Sequence, residues 1–199
     1  MLLIRQREAV AHLGALASKK TIFLVCGMSG AGKDSLVNTI CENYRLKQLK
    51  SYSTRPRRQG EGDTHIFISS SQISQYEQDM IAYTCIDGNQ YFATKQQLYD
   101  CDFYVIDPCG IEFMKKSNID LSDFNFVTIF IKVPRDIRVS RALYNRKDDP
   151  ITFYKRCFDE TEQFTEMLVK EDFDYAVSNV DFDKAYNVLA SIVESELQF

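Results

Sequence analysis

The residues most able to do chemistry lie in one stretch, Gly27-Met28-Ser29-Gly30-Ala31-Gly32-Lys33-Asp34-Ser35. Glycines at this spacing let the backbone curl until successive N–H groups converge on one oxyanion. Lys33 adds a mobile point charge that reaches further phosphate oxygens. This is the pattern of a nucleotide-phosphate loop, with Gly27, Ser29, Gly30, Ala31, Gly32, Lys33, Asp34 and Ser35 as its binding residues. In that pattern a Ser or Thr follows the lysine and offers Mg²⁺ a neutral hydroxyl. Here the position is Asp34, with Ser35 next. A carboxylate also suits Mg²⁺, so Asp34 is a candidate metal ligand that brings negative charge close to the phosphates.

Three other constellations can meet a phosphorylated ligand. Arg55, Arg57 and Arg58 crowd one polar loop, and guanidinium forks match phosphate bidentately. Asp107 ends an apolar run and precedes Pro108-Cys109-Gly110. A carboxylate there either caps a following helix or holds Mg²⁺-bound water or a substrate group, and ligands favour the carboxyl ends of such strands. Arg138, Arg141, Arg146 and Arg156 flank a break at Pro150, so a helix–loop–helix lid over about residues 143–157 could close on a nucleotide and exclude water. Ordinary surface ion pairing is the alternative for each basic set.

These groups need a scaffold. Ile22–Cys26, Phe103–Asp107, Phe126–Ile131 and Tyr175–Val177 read as buried strands, and helices are expected at Ala31–Asn43, Thr152–Lys170 and Asp183–Leu197. Apolar runs spaced by helices imply an α/β fold, a parallel sheet flanked by helices. Residues 52–93 differ: a basic loop, His65–Ile68, a polar helix candidate, then Met80–Ile86 and Gln90–Ala93 joined by Asp87-Gly88-Asn89. Asp-Gly between apolar runs signals a hairpin. The expected organisation is one domain over 1–199, with core segments 1–51 and 94–199 and a small mostly-β insertion, 52–93, for the acceptor.

The bulk properties exclude several classes. The chain has 199 residues, 26% of them charged, and a net charge of −4, so no global basic field points to a nucleic-acid polymer. Six cysteines without a Cys-x-x-Cys pair, and two histidines, make no obvious zinc site; buried free thiols in a reducing cytoplasm are expected. Charges interrupt Met1–Glu8 early, which suits an amphipathic helix better than a signal peptide, and no apolar run is long enough to span a membrane.

In this order the motifs resemble those of the guanylate kinase family, from residue 21 onward. Gly27–Lys33 resembles its phosphate loop, Ser53-Thr54-Arg55-Pro56-Arg57-Arg58-Gln59-Gly60-Glu61 its arginine loop, Gly88-Asn89-Gln90-Tyr91 its Gly-Asn-x-Tyr segment and Ile106-Asp107-Pro108-Cys109-Gly110 its Ile-Asp-x-x-Gly. Asp174–Asn179 resembles its late Asp-Tyr-x-Val-x-Asn. The resemblance implies a P-loop kinase using ATP and Mg²⁺ and acting on a phosphorylated small molecule. By resemblance, Ser53, Arg55, Arg58, Glu61, His65, Tyr91 and Asp107 form the acceptor site. Lys33, Arg146 and Arg156 stabilise the moving phosphoryl group, and Asp34 and Asp107 are the Mg²⁺ candidates. His65 stands where the family has a tyrosine, Ala82 where it has the glutamate that reads guanine, and Ala93 where it has a hydroxyl residue. These departures put base selectivity in question. The Gly-Lys-Asp-Ser ending also resembles ribose 1,5-bisphosphate kinases, which phosphorylate a sugar phosphate. Non-catalytic guanylate-kinase-like binding domains are the third reading, against which the intact loop counts.

Overall fold

Strand β1 (Lys20–Cys26) is the centre of the molecule. Its apolar run alternates in direction, so Ile22, Leu24 and Cys26 enter one core while Phe23 and Val25 enter another. A strand covered on both faces must be apolar throughout, which is why the run is continuous. A computed structural model describes residues 19–57 and 62–198. The amphipathic helix expected at Met1–Glu8, and Arg58 and Glu61 of the arginine loop, lie outside the described residues.

The main sheet has the order β6 (Phe103–Val105), β1, β7 (Phe124–Lys132), β8 (Tyr175–Ser178), all parallel. Helices α1 (Lys33–Tyr44) and α6 (Phe182–Leu197) cover the Phe23/Val25 face. Helices α3 (Pro108–Lys116) and α5 (Pro150–Lys170) supply Ile111, Met114, Phe164 and Met167 to the other. Neighbours β6 and β7 leave β1 in opposite directions across the sheet, so a crevice opens beyond the carboxyl end of β1. The phosphate loop occupies that crevice.

A second sheet has the order β3 (Ile66–Phe67), β2 (Tyr52–Ser53), β5 (Asn89–Thr94), β4 (Met80–Ile86). Its β4–β5 hairpin closes over Asp87 and Gly88 with φ of 49° and 74°, the paired positive values of a type I′ turn. The polar helix expected before β4 is instead two short 3₁₀ turns, Ser70–Gln75 and Glu77–Asp79, too brief and too polar to bury a face. Short α2 (Lys95–Tyr99) returns the chain to the main sheet.

The helix after the loop starts at Lys33, not at Ala31, because Gly32 holds a left-handed φ of 79°. Pro134 precedes α4 (Arg135–Ser140), and a wide π-type turn over Arg141–Asn145 comes next, with Arg146 N–H donating to the Arg141 carbonyl at 3.1 Å. Helix α5 starts two residues before the expected Thr152. Asp149 caps it by accepting from Thr152 N–H at 2.8 Å, and Pro150 takes its first position. The cysteines divide more evenly than expected: Cys26 and Cys101 are buried, Cys41 and Cys157 partly so, and Cys85 and Cys109 exposed. Among the described residues no helix is long and apolar enough to cross a membrane.

Candidate active site

The phosphate loop is held from three sides. Below it, the Arg138 guanidinium donates to the Ser29 carbonyl at 3.2 Å. Behind it, buried Asn179 donates to the Ala31 carbonyl at 2.8 Å. From α5, Glu160 accepts from Ser29 N–H at 2.8 Å and from the Ser29 hydroxyl at 2.5 Å. Gly30 is required: its φ is 84°, and a Cβ there would meet the Arg138 carbonyl at 2.7 Å. Lys33 bends back over the loop and donates to the Gly27 carbonyl at 2.5 Å.

Two cavities meet at this loop. One of 370 Å³ runs from Gly27, Ser29 and Lys33 to Arg55, His65 and Tyr91 of the second-sheet region. The other, of 580 Å³, is lined by Gly30, Gly32, Ser35, Arg141 and Asn179. Ser29, Lys33, Asp34, Arg146 and Arg156 line both. Among the described residues, Arg141 Nη1 and Arg156 Nε are buried donors without a protein partner. Buried donors are seldom left unmatched, so an anionic ligand between the cavities suits them. A separate cavity of 470 Å³, lined by Leu24, Met114, Phe126 and Phe173, contains none of these residues.

The second-sheet end of the 370 Å³ cavity is built on aromatic packing. Arg55, only 9% exposed, sits 5.1 Å over the Phe67 ring and donates to the Pro56 carbonyl at 3.0 Å. His65 packs edge-on against Tyr91 with centroids 5.6 Å apart, and its Nδ1 lies 2.9 Å from the Ser51 hydroxyl. Ser53 does not line the cavity. It is fully buried, and its hydroxyl accepts from Arg55 N–H at 3.3 Å, so it seats the arginine. Ala31 is likewise buried, contributing its carbonyl to the loop's support. Ala82 and Ala93 face each other across β4 and β5 and are 1% and 0% exposed, in one core with Tyr104, whose ring also lines the cavity. Neither alanine lines the cavity, whose β4 wall is made by Tyr83, Thr84 and Ile86.

Asp107 caps α3, accepting from Gly110 N–H at 2.7 Å, and it also lines the 370 Å³ cavity. Burial pushes its pKa up; the Gly110 N–H, Thr84 and Lys33 oppose this, while Glu160 adds to it. Beneath the loop, burial raises the Cys26 thiol to about 12. Helix α5 reaches the second sheet through Lys155 and Asp87, paired at 2.5 Å at the hairpin turn. Arg138, grouped in sequence with the basic set around Pro150, is buried loop support. Glu160 carried no signal in sequence, since it sits in the ordinary acidic run Asp159-Glu160-Thr161-Glu162. Asn179 was visible only as the last residue of a motif.

The donor set fits Mg²⁺ carried in on phosphate. Asp34 and Asp107 both line the 370 Å³ cavity and carry the hard oxygens Mg²⁺ takes, and among the described residues no cluster of three or more His, Cys, Asp or Glu forms a dedicated cage. Mg²⁺ commonly binds through one or two carboxylates plus substrate phosphates.

Known proteins match this arrangement along most of its length. A family model described as guanylate kinase covers residues 18–196. The guanylate kinase of Photobacterium profundum is 28% identical over 187 residues, 90% of this chain and 89% of the relative. That of Mycoplasma genitalium is 29% identical over 183 residues, 88% and 75% of the two chains. That of Chlamydia trachomatis serovar D is 29% identical over 188 residues, 88% and 87%. The crystal structure of guanylate kinase from Anaplasma phagocytophilum shares the fold, with a TM-score of 0.60 at 20% identity over 90% of this chain and 87% of that one. A glycine-rich loop, a separate arginine-bearing cavity and an arginine-bearing helix over both, matched by a family model over residues 18–196, mean that this chain belongs to the guanylate kinase family of ATP-dependent kinases.

Proposed function

We propose that the protein transfers the terminal phosphoryl group of ATP to the phosphate of a nucleoside monophosphate, with GMP as one acceptor and weak selection of the base. The observation that carries this reading is the meeting of two cavities over Lys33, Asp34, Arg146 and Arg156. ATP phosphates lie in the phosphate loop, under the helix N-terminus and its N–H groups. The acceptor phosphate lies against Arg55 and Tyr91, with His65 beside them. Lys33, Arg146 and Arg156 neutralise the charge that develops between donor and acceptor oxygens, and α5 excludes water as it closes. Mg²⁺, held through Asp34 or Asp107 and the phosphates, supplies further neutralisation of the transferring group.

The names of the relatives support GMP, while Ala82 and Ala93, which have no side-chain hydrogen bond to offer a base, support loose base reading. Sites that hydrogen-bond a substrate group can discriminate by about 10⁴ or more, whereas apolar pockets reach only about 10². A screen of nucleoside monophosphates and sugar phosphates with ATP, following ADP release, tests the reading. GMP and at least one other purine monophosphate should have kcat/KM values within about 10² of each other. GMP as the only good acceptor would overturn weak base selection. Preference for a sugar phosphate would move the protein to the bisphosphate-kinase reading that its Gly-Lys-Asp-Ser ending resembles. No turnover and no ATP binding would make it a binding domain.

A further inference from the structure

The anion-binding face of the phosphate loop is engaged by a side chain of the protein itself. Glu160 takes both donors of Ser29, the backbone N–H at 2.8 Å and the hydroxyl at 2.5 Å. Loop N–H groups of this kind are the donors that polyphosphate oxygens use. A carboxylate and a phosphate oxygen that compete for one N–H also repel each other as like charges, so they exclude each other. The Lys33 ammonium donates to the Gly27 carbonyl, and among the described residues no hydrogen bond or ion pair joins it to Glu160. Asp34 lines the same cavity and brings a second carboxylate.

We propose that Glu160 is a specificity-determining residue of the phosphate loop, an internal anion that makes the loop prefer Mg²⁺-complexed over metal-free polyphosphate. The proposal rests on the nucleotide-loop reading above. An incoming polyphosphate must take Ser29 N–H from Glu160, and the displaced carboxylate stays close because Arg156, one turn earlier on α5, lines the same cavity. Metal-free ADP therefore meets two carboxylates around one lysine. ADP carrying Mg²⁺ arrives with part of its charge offset, so the same carboxylates repel it less.

The full chain, titrated calorimetrically with ADP in Mg²⁺ and again in excess chelator, tests this for the wild type, Glu160→Gln and Glu160→Ala. Glutamine keeps the length and one acceptor oxygen for Ser29 N–H, and thermal melting reports whether each variant folds. Both variants should bind metal-free ADP about tenfold tighter or more, because a charge-assisted hydrogen bond no longer competes. The gain for Mg²⁺-ADP should be smaller, so the ratio of the two Kd values contracts. An unchanged ratio in both folded variants overturns the proposal, as does equal weakening of both forms, the outcome for a purely structural clamp. If neither the wild type nor the variants bind ADP in either buffer, the nucleotide-loop reading fails and this proposal with it.

Discussion

Arg55 is oriented before any ligand arrives. Its guanidinium is stacked on Phe67 and its backbone N–H is held by buried Ser53, so little side-chain freedom remains to be lost on binding phosphate. Arg55→Ala should raise the acceptor KM about ten- to hundredfold, the worth of a lost charged hydrogen bond, and leave the Kd for ADP unchanged. Steady-state kinetics and calorimetry give the two numbers, and an unmoved KM would remove Arg55 from the site. Asp107 makes a prediction of the opposite kind. Burial raises its pKa above the ordinary 3.8, so the folded protein holds this proton more tightly than the unfolded chain. Between 3.8 and the raised value the fold binds more protons, and stability from this group falls as pH rises through that interval. Asp107→Asn still accepts from Gly110 N–H but never ionises. Its melting temperature relative to wild type should climb as pH rises above 3.8, as a series of thermal melts will read. A difference that stays flat with pH would mean that burial does not dominate at Asp107. Exposed acids whose pKa is lowered, such as Asp63 beside Lys50, have the opposite dependence but are common to both proteins.

Loop and helix act as one unit at the next scale. The phosphate loop keeps its shape because α4 sits directly against it: the Arg138 carbonyl approaches Gly30 while the Arg138 guanidinium holds the Ser29 carbonyl. Gly30→Ala forces a left-handed residue and a clash with backbone together. It should cost about 1–3 kcal/mol of stability, seen as a lower melting temperature, and weaken ADP binding by displacing Ser29 N–H. Loss of stability with unchanged ADP affinity would show that Gly30 serves packing alone. The π-type turn between α4 and α5 has a related consequence. An extra residue in a turn rotates the downstream chain, and here it carries Arg146 to the junction of both cavities. The Lys155–Asp87 pair at the hairpin turn is exposed at 62% and 33%, so it guides the approach of α5 and adds little to stability.

Across the whole molecule the two cores meet along β1, and the thiols report their integrity. Cys26 and Cys101 are buried, with burial raising each to about 12, while Cys85 and Cys109 are exposed. Iodoacetamide at neutral pH should modify Cys85 and Cys109 in the native protein and reach Cys26 and Cys101 only after denaturation, as peptide mass spectrometry will show. Native labelling of Cys26 would mean that the core beneath the phosphate loop opens. The glycine-rich loop follows β1 of the main sheet, while Arg55, His65 and Tyr91 belong to the second-sheet region. Ala82 and Ala93 on β4 and β5 pack into the same core as Leu24 and Cys26 of β1, which ties the spacing of the two sites to the packing of one hydrophobic cluster.

Much of the fold was legible because it is local. The continuous apolar runs of β1 and β7 require cover on both faces, Asp87-Gly88 permits one tight turn, and Gly30 and Gly32 permit one loop shape. Residue type and spacing alone therefore determined the strand–loop–helix, the hairpin and the helix break before Pro150. Tertiary structure decided what the side chains meet. Arg138 and Arg146 look alike in sequence, yet one is buried under the loop and the other faces both cavities, because α4 and the wide turn after it set their directions. Ser53 reads as a ligand residue and proves to be the seat of Arg55. Glu160 reads as one acid among several. It reaches Ser29 because Phe153, Phe164 and Met167 bury one face of α5 and so fix the rotation of the helix about its axis. Local chemistry determined that this chain can hold phosphate; the packing of one helix against the core decided which carboxylate meets the phosphate loop.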